Sequence, residues 1–548
     1  MTSKVLRGAL ASLLLLLCAC SNFDQEVDAF CRRNPDRCGE APDAGPSPDA
    51  GVEDAGVPDS GLPDSGVPDA GDPDAGVPDG GTPDGGPLNT CVPGNTPPSL
   101  TGSTHLHILF DTSGSMRELP QISNSEHSSF FNITADGCVN PRLDAFSTSR
   151  GWDPSFRYPL PDPGTGLGSD NGFPNLFQDD KFYAYMYWND SSEPAFQWTT
   201  KEQACQSQVP SWDTTNAPTY NQCLQCLGTK GYWKLPGATG RDTPPLSNLD
   251  FIFWGRFLNF NPPKYVTAKA VLKSIIKDLS KVRVGITHFS NSSPYSTVLQ
   301  RQNPSCQQHA ADASAFDAYR ASYINSINGL QFTTGTPLGR SLLNIGYYFT
   351  SDDSIYQTRF NFGSSYTYPP EFKNSPLDTQ GRSICWSCQA PTVIIITDGE
   401  PSSDSFTSAQ AAQLRTVNGG PVYCPDSAPC TSGTSASSRD KGTSETSFTD
   451  DNPNYYLDDV AKMLYEQDLQ ESAPPQVGDF DTTGKQNVIT YTVGFGINSN
   501  LLKHTAQVGG GMYYTADDSN SLRQALLDII QSSRSRSVFS SSPQTSPR

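Results

Sequence analysis

The stretch His105-Leu106-His107-Ile108-Leu109-Phe110-Asp111-Thr112-Ser113-Gly114-Ser115-Met116 decides the fold. Its first six residues form a short, β-rich run, which ends at a carboxylate followed by two hydroxyls spaced by two residues. A loop of this kind after a buried strand presents hard oxygen ligands to one point, and such ligands suit Mg²⁺, Mn²⁺ or Ca²⁺ rather than zinc. Asp, Ser and Gly are also ordinary turn formers, so the loop needs support from elsewhere in the chain.

Two later segments supply that support. Gly335-Thr336-Pro337-Leu338-Gly339 offers another hydroxyl just before a helical pattern. Val393-Ile394-Ile395-Ile396-Thr397-Asp398-Gly399-Glu400 is a continuous apolar strand, as in a sheet covered on both faces, and it ends in another carboxylate. An open α/β sheet binds its ligand beyond the carboxyl ends of its strands. The candidate metal ligands are therefore Asp111, Ser113, Ser115, Thr336 and Asp398.

Helix and strand patterns alternate along the rest of the chain. An amphipathic helix is predicted over 266–279 and a strand over 282–289. Further helices are predicted near 313–329, 337–349, 455–469, 499–507 and 518–531, and further strands over 487–493 and 512–515. This alternation implies an α/β fold built on a doubly wound, mainly parallel sheet.

The five candidate ligands resemble the metal-ion-dependent adhesion site of von Willebrand factor A domains. In that family the two serines and the threonine approach the ion, the aspartates act directly or through water, and an open coordination position takes a carboxylate from the partner. The resemblance implies a von Willebrand factor A-like domain over 101–533. It also implies one divalent cation, Mg²⁺ or alternatively Ca²⁺ or Mn²⁺, and a protein or cell-surface ligand that supplies a carboxylate.

No reaction is expected at this site. The sequence contains no G-x-S-x-G elbow, no H-E-x-x-H and no complete G-x-x-x-x-G-K-[ST] loop, and its six histidines show no metal-ligand spacing. We therefore predict a binding protein without catalytic residues, and treat each histidine as a packing or surface residue.

A large insertion, residues 117–262, separates the metal loop from the first predicted helix. It holds six of the seven tryptophans: Trp152, Trp188, Trp198, Trp212, Trp233 and Trp254. Rigid aromatic side chains can serve glycan or protein recognition. Alternatively they form the small core of the insertion, pinned by Cys138, Cys205, Cys223 and Cys226, and for most of them we expect this second role.

The insertion and its flanks carry a second resemblance, to the N-terminal half of the PilY1-type (PilC/PilY) family of type IV pilus tip proteins. It rests on segments in the same order, which are 180–185, 253–260, 388–390 with 397–401, and 491–496 with 509–514. The resemblance implies a role in pilus biogenesis or adhesion, with minor pilins or pilus tip components as partners. That family continues into a C-terminal β-propeller with its own calcium loop, whereas this sequence ends in a Ser-rich tail (534–548, predicted to be disordered). We therefore expect either a free-standing adhesion module or one half of a split or truncated locus.

The N-terminus indicates export. Lys4 and Arg7 precede an apolar run over 8–17, which is too short for a membrane span. Leu17-Cys18-Ala19-Cys20 resembles the lipobox of bacterial lipoproteins, which implies a signal peptide over 1–19 and a lipid on Cys20; ordinary secretion is the alternative. Ser21 favours the outer membrane, and so the cell surface of a Gram-negative bacterium. The mature chain would then contact the membrane only through its lipid anchor.

Residues 41–100 are predicted to be a disordered Pro/Asp/Gly linker, following a lipidated N-terminal segment (20–40). Units such as Val57-Pro58-Asp59-Ser60-Gly61 repeat there, and proline, glycine and like charge at this density cannot bury a core. A calcium-binding repeat is the alternative, but it needs strand-forming residues between the aspartates. The linker holds eleven of the 57 acids and no Lys or Arg, so it supplies more than half of the net charge of −20. The net charge argues against nucleic acid and anionic lipid as electrostatic partners, because it repels both.

The cysteines favour disulfides. Setting aside Cys18 and Cys20 leaves twelve of the fourteen, an even number in an exported chain. Cys31/Cys38 and Cys424/Cys430 are spaced for local loops. The pairs Cys223-x-x-Cys226 and Cys385-x-x-Cys388 have a zinc-site spacing as an alternative.

These observations together predict an outer-membrane lipoprotein that displays a divalent-cation-dependent adhesion domain. The alternative is an envelope assembly or scaffold protein whose metal only stabilises its fold.

Overall fold

A computed structural model describes the part of the chain that carries the predicted α/β domain. The described residues are 104–120, 137–158, 177–184, 197–209, 216–235, 251–280, 282–291, 295–350, 370–372, 383–385, 389, 391–399, 401–419, 422–423, 431–432, 455–470 and 485–539. The predicted signal peptide, lipidation at Cys20, linker and the cysteines at 31, 38, 388, 424 and 430 lie outside them. All described residues belong to one compact unit, Leu88–Arg548.

Strands of the described residues form a six-stranded sheet, a four-stranded sheet and a two-stranded ribbon. In chain order they are β1 His105–Phe110, β2 Phe182–Ala184, β3 Gln197–Trp198, β4 Tyr232–Lys234, β5 Phe251–Trp254, β6 Arg283–Phe289, β7 Ser296–Gln300, β8 Pro391–Thr397, β9 Val422–Tyr423, β10 Thr431–Ser432, β11 Ile489–Phe495 and β12 Gly510–Ala516. The large sheet has the order β12-β11-β8-β1-β6-β7. All its pairings are parallel except that of β7 with β6, so the prediction of a mainly parallel sheet is confirmed.

Helices cover both faces of the large sheet. In chain order the described α-helices are α1 Pro141–Ser149, α2 Lys201–Gln208, α3 Ala217–Thr229, α4 Gly255–Phe260, α5 Lys264–Asp278, α6 Cys306–Ala311, α7 Arg320–Asn328, α8 Leu338–Tyr348, α9 Ser408–Val417, α10 Leu457–Glu466, α11 Asn500–Val508 and α12 Ser519–Phe539. Short 3₁₀ turns occur at Gly114–Arg117, Ala313–Tyr319 and Pro370–Phe372.

The central strands β1 and β8 explain this layering. Every residue of both strands is buried, because successive side chains point to opposite faces and each face has its own core. Leu109 and Ile395 pack in the core shared with α8, α9, α10 and α11. Ile108 and Ile394 pack in the other core, shared with α5, α7 and α12. The chain is thus a mixed α/β structure with helices on both faces.

The last helix is longer than its sequence pattern. α12 runs to Phe539, whereas the apolar periodicity predicted an end near 531 and the domain was expected to end at 533. Arg534 explains part of the extension, because its guanidinium donates a hydrogen bond to the backbone oxygen of Ser280. Within the described range, no helix is long and apolar enough to cross a bilayer.

The insertion contains its own small core. β2–β5 form an antiparallel sheet in the order β3-β2-β5-β4, with α2 and α3 in contact with it. Trp233 is fully buried there, and Trp198 and Trp254 pack against the same cluster. The structure therefore confirms the core role for these three tryptophans; Trp188 and Trp212 lie outside the described residues.

Three disulfides are formed by described cysteines: Cys138–Cys226, Cys205–Cys223 and Cys306–Cys385. The prediction of disulfides is confirmed. The alternative of a zinc site is wrong, because three of the four cysteines that it needs are bonded to cysteines outside the proposed set. The first two bonds tie α3 to α2 and to the start of the insertion.

Candidate functional site

The carboxyl edge of the central strands brings the two predicted aspartates together. β1 and β8 are parallel neighbours with Phe110 opposite Ile396, so both chains leave the sheet at the same level. The backbone N–H of Asp111 continues the ladder by donating to the backbone oxygen of Ile396 at 3.0 Å. Asp111 and Asp398 therefore lie at one edge, beyond the ends of adjacent strands, as the sequence predicted.

Asp111 is fully buried and accepts two hydrogen bonds. One carboxylate oxygen accepts the backbone N–H of Ser113 at 2.7 Å, and the other accepts the hydroxyl of Thr397 at 2.5 Å. Burial, together with the nearby charge of Asp398, raises the pKa of Asp111 to about 7. The hydrogen bonds from Ser113 and Thr397 act in the opposite direction by stabilising the carboxylate.

The two serines connect the loop that follows β1, residues 111–116, to Asp398. The hydroxyls of Ser113 and Ser115 are 2.9 Å apart, and the hydroxyl of Ser115 donates to a carboxylate oxygen of Asp398 at 2.9 Å. Ser113 and Asp398 are buried, whereas Ser115 is partly exposed. Ser115 therefore marks the side from which solvent or a ligand can approach.

The segment that contains Thr336 is hydrogen-bonded to the loop after β1. Thr334, two residues earlier, accepts the backbone N–H of Gly114 at 3.1 Å and donates its own N–H to Thr112 at 3.3 Å. Thr336 itself is 4% exposed and lies just before α8. The structure thus links Asp111, Ser113, Ser115 and Asp398 by direct contacts or shared backbone, and it places Thr336 on the adjoining loop.

Lys264 is the charged neighbour of Asp398, and it was not among the residues predicted from the sequence. Its ammonium donates to the second carboxylate oxygen of Asp398 at 2.7 Å, and both side chains have no exposed surface. Lys264 is the first residue of α5, directly after the insertion. A lysine at the start of an amphipathic helix ordinarily points to solvent, so no sequence pattern indicates this contact.

Asp404, also not predicted from the sequence, anchors the segment that follows Thr336. Its two carboxylate oxygens accept the backbone N–H groups of Gly339 and Arg340 at 2.7 and 2.9 Å, at the first turn of α8. Burial raises the pKa of Asp404 to about 6, against the lowering effect of these hydrogen bonds. Ser402 adds two contacts to the backbone of Thr336, at 2.9 and 3.0 Å.

The donor set fits a hard divalent cation. Two carboxylates and hydroxyl oxygens converge on one edge, and such oxygens are the ligands that Mg²⁺, Ca²⁺ and Mn²⁺ prefer. Among the described residues no group of three or more His, Cys, Asp or Glu side chains is placed to hold a metal. The candidate site differs from such a group because three of its five residues would coordinate the ion through hydroxyl oxygens. Asp111, Ser113, Ser115, Thr336 and Asp398 would hold the ion.

The histidines of β1 take no part in the candidate site. His105 and His107 lie on one face of the strand, fully buried, and pack against the rings of Tyr348 and Phe349. Burial lowers the pKa of His107 to about 3, and burial together with the charge of Arg283 lowers that of His105. They are packing residues, as predicted.

Comparisons with known proteins give weak similarities. No protein-family model matches the chain, and no curated protein matches it significantly. The solved structure of the PilB minor pilin from Streptococcus sanguinis has 14% sequence identity and a TM-score of 0.27, over 53% of this chain and 59% of that one. The chain thus spans less than two thirds of that minor pilin.

Two further solved structures have lower TM-scores. The pilus adhesin SpaC from Lactobacillus rhamnosus GG has 11% identity and a TM-score of 0.23, over 50% of this chain and 28% of that one. An aerotolerance-related membrane protein from Bacteroides fragilis NCTC 9343 has 14% identity and a TM-score of 0.19, over 50% of this chain and 90% of that one. Two of these three neighbours are pilus proteins, but at such TM-scores the likenesses carry no conclusion about this chain.

Proposed function

We propose that the chain is a surface lipoprotein whose α/β domain binds one divalent cation and, through it, a carboxylate-bearing protein or cell surface. The proposal includes adhesion linked to type IV pili, with minor pilins or pilus tip components as partners, and no catalytic step. The observation that carries it is the contact chain from Ser113 through Ser115 to Asp398, next to Asp111. The pilus link rests on the sequence motifs alone, and the lipid anchor rests on the segment that ends at Cys20.

The chemistry of the edge supports cation binding. When bound, the cation would supply a Lewis-acidic position that a carboxylate of the partner can occupy. Asp111 and Asp398 provide the negative charge, and their burial strengthens the attraction to a cation because the local dielectric is low. Ser115 and Gly114 are partly exposed, so a ligand can reach this position from the solvent side.

The proposal is tested by adhesion of cells that display the full-length chain, with Mg²⁺ and with chelator. We expect wild-type adhesion to be lost in chelator, and Asp111→Ala to show the same loss in Mg²⁺. Asp278→Ala is the matched control: Asp278 is exposed, contacts Arg523, and lies about 21 Å from Lys264 along α5. Unchanged adhesion in both chelator and Asp111→Ala would refute the proposal.

The alternative, a scaffold protein with a structural metal, is favoured by one observation. Asp111, Ser113, Thr336 and Asp398 are each at most 4% exposed, which suits an ion that only supports the fold. In that case Asp111→Ala would lower the thermal stability, while the fraction that remains folded would still bind pili. Pull-down of purified pili by the soluble folded fraction separates the two functions.

A further inference from the structure

Lys264 places an ammonium group inside the proposed cation site. Its ammonium lies 2.7 Å from Asp398, which is one of the five candidate ligands, and both groups are fully buried. The other oxygen of Asp398 accepts the hydroxyl of Ser115. Both oxygens of this ligand are therefore occupied in the structure, one by a second candidate ligand and one by the lysine.

The position of Lys264 is fixed by its surroundings. Its backbone N–H donates to the backbone oxygen of Glu118 at 2.9 Å, which ties the start of α5 to the end of the metal loop. Its side chain passes Gly496 at the end of β11, where an added Cβ would lie 3.5 Å from the lysine Cε. Gly496 also has a φ of +73°, so it is a position that favours glycine. The backbone hydrogen bond to Glu118 and the packing of the side chain near Gly496 together hold the ammonium beside Asp398.

The effect of Lys264 on the site follows from the sum of the charges of Asp111, Asp398, Lys264 and the proposed ion. Two ionised aspartates and one ammonium sum to −1, so a divalent ion brings the cluster to +1. Without the lysine the same ion would bring the cluster to zero. A buried cluster with one excess positive charge needs an anionic ligand, because uncompensated charge in a low dielectric is costly.

We propose that Lys264 is a built-in counter-cation that weakens divalent-cation binding and couples it to the binding of an anionic, carboxylate-bearing ligand. This inference rests on the proposed function, because it concerns the same site. In the absence of metal, Lys264 neutralises Asp398 and keeps the edge folded. With metal bound, its charge repels the ion and attracts the partner's carboxylate. Lys264 is therefore a positioning residue that sets the affinity of the site and its preference for acidic partners.

Lys264→Gln isolates the charge. The glutamine amide keeps a hydrogen-bond donor on a side chain one bond shorter than that of lysine, and it carries no charge. We expect this variant, as the full-length chain, to bind Mg²⁺ about ten-fold more tightly than wild type or better, since a like charge within a few ångströms is removed. Lys264→Arg keeps the charge and should restore affinity close to that of wild type. A purely structural role would lower the affinity of Lys264→Gln, not raise it.

Acetate provides the second readout. Calorimetric titration with Mg²⁺, with and without acetate, measures how strongly a carboxylate assists metal binding. Acetate should tighten Mg²⁺ binding to wild type, and should do so less for Lys264→Gln. If Lys264→Gln is unstable without metal, the double variant with Asp398→Asn restores the wild-type charge of the cluster, −1; it should fold and bind Mg²⁺ more weakly than Lys264→Gln alone.

The outcomes separate the inference from the proposed function. Mg²⁺ binding to wild type with equal or weaker binding to Lys264→Gln overturns the inference and leaves the proposed function standing. Binding to Lys264→Gln with none to wild type even in acetate overturns the coupling to a carboxylate and refutes cation-dependent function in the natural chain. Absence of binding in both variants refutes both.

Discussion

Cation binding should weaken as the pH falls below about 7, because Asp111 must lose its proton before it can bind a metal. Its carboxyl group is fully buried, and burial with the charge of Asp398 raises its pKa to about 7 in the metal-free protein. A cation competes with this proton. At pH 8 about a tenth of Asp111 is protonated and at pH 6 about nine tenths, so the apparent Mg²⁺ affinity should fall about ten-fold, or ~1.4 kcal/mol.

The same competition predicts proton release. Binding of one Mg²⁺ should release about 0.9 protons at pH 6 and about 0.1 at pH 8. Titration calorimetry in two buffers of different ionisation enthalpy counts these protons directly. Asp111→Asn is the control: it cannot titrate, so its remaining Mg²⁺ affinity should not change between pH 6 and pH 8 through this group. Proton release near zero at pH 6, with an affinity independent of pH, would show that Asp111 is already ionised in the metal-free site.

The contribution of Asp111 to the stability of the metal-free protein should decrease as the pH rises, whereas the affinity for the cation increases. The folded pKa of Asp111 lies above the unfolded value near 3.9, so the unfolded state releases its proton first as the pH rises. The contribution of Asp111 to stability is therefore complete below about pH 4 and is lost as the pH rises to about 7. Saturating Mg²⁺ should reverse this loss because it stabilises the carboxylate in the folded state only.

Three further predictions concern stability, measured by urea denaturation. The stability difference between wild type and His107→Gln should shrink by about 2 kcal/mol from pH 7 to pH 5. The cause is that the folded pKa of His107 is about 3, whereas its unfolded pKa is near 6.5, so only the unfolded wild type gains a proton in this range. Comparing the two proteins cancels the opposite contribution of Asp111, which both contain. An unchanged difference would contradict a neutral, buried imidazole. Asp404→Asn should cost about 1–2 kcal/mol by weakening the hydrogen bonds to the first turn of α8, and a neutral effect would argue against this capping role. Replacing Cys306 and Cys385 together by serine should cost up to about 4 kcal/mol, since this disulfide closes a loop of 79 residues, and no loss would mean that it adds nothing to native stability.

The sequence predicted those parts of the site that depend on single strands. A buried strand fixes the direction of the residue after it, so the apolar runs before Asp111 and Asp398 were enough to place both at one edge. The helices at 266–279 and 337–349 were predicted within about two residues, because their apolar periodicity is strong. The antiparallel edge strand β7 was missed; four of its five residues are only partly buried, so its sequence lacks a clear apolar pattern.

The remaining parts depend on contacts between distant segments. Lys264 meets Asp398 across 134 residues, and Asp404 meets α8 across about 65. Neither contact leaves a local pattern, because lysine and aspartate at the ends of elements are ordinarily solvated. The pairing of the cysteines is hidden for the same reason: Cys223 and Cys226 are neighbours in sequence but bond to different partners.

Because Lys264 is buried at the proposed site, the local charge that a partner contacts differs in sign from the net charge of the chain. The total of −20, with 41 acids against 32 bases in residues 101–548, suggests a protein that repels acidic molecules. Exposed charges more than about 8 Å apart are screened at physiological ionic strength, however, so the total acts only weakly on a ligand already at the site. A ligand in contact with the site meets one excess positive charge once the proposed cation is bound. This charge is poorly screened, because Lys264 and Asp398 are fully buried. An acidic partner would thus be repelled slightly on approach and attracted on contact, so its binding should be slow to form at low salt and should form faster as salt is added.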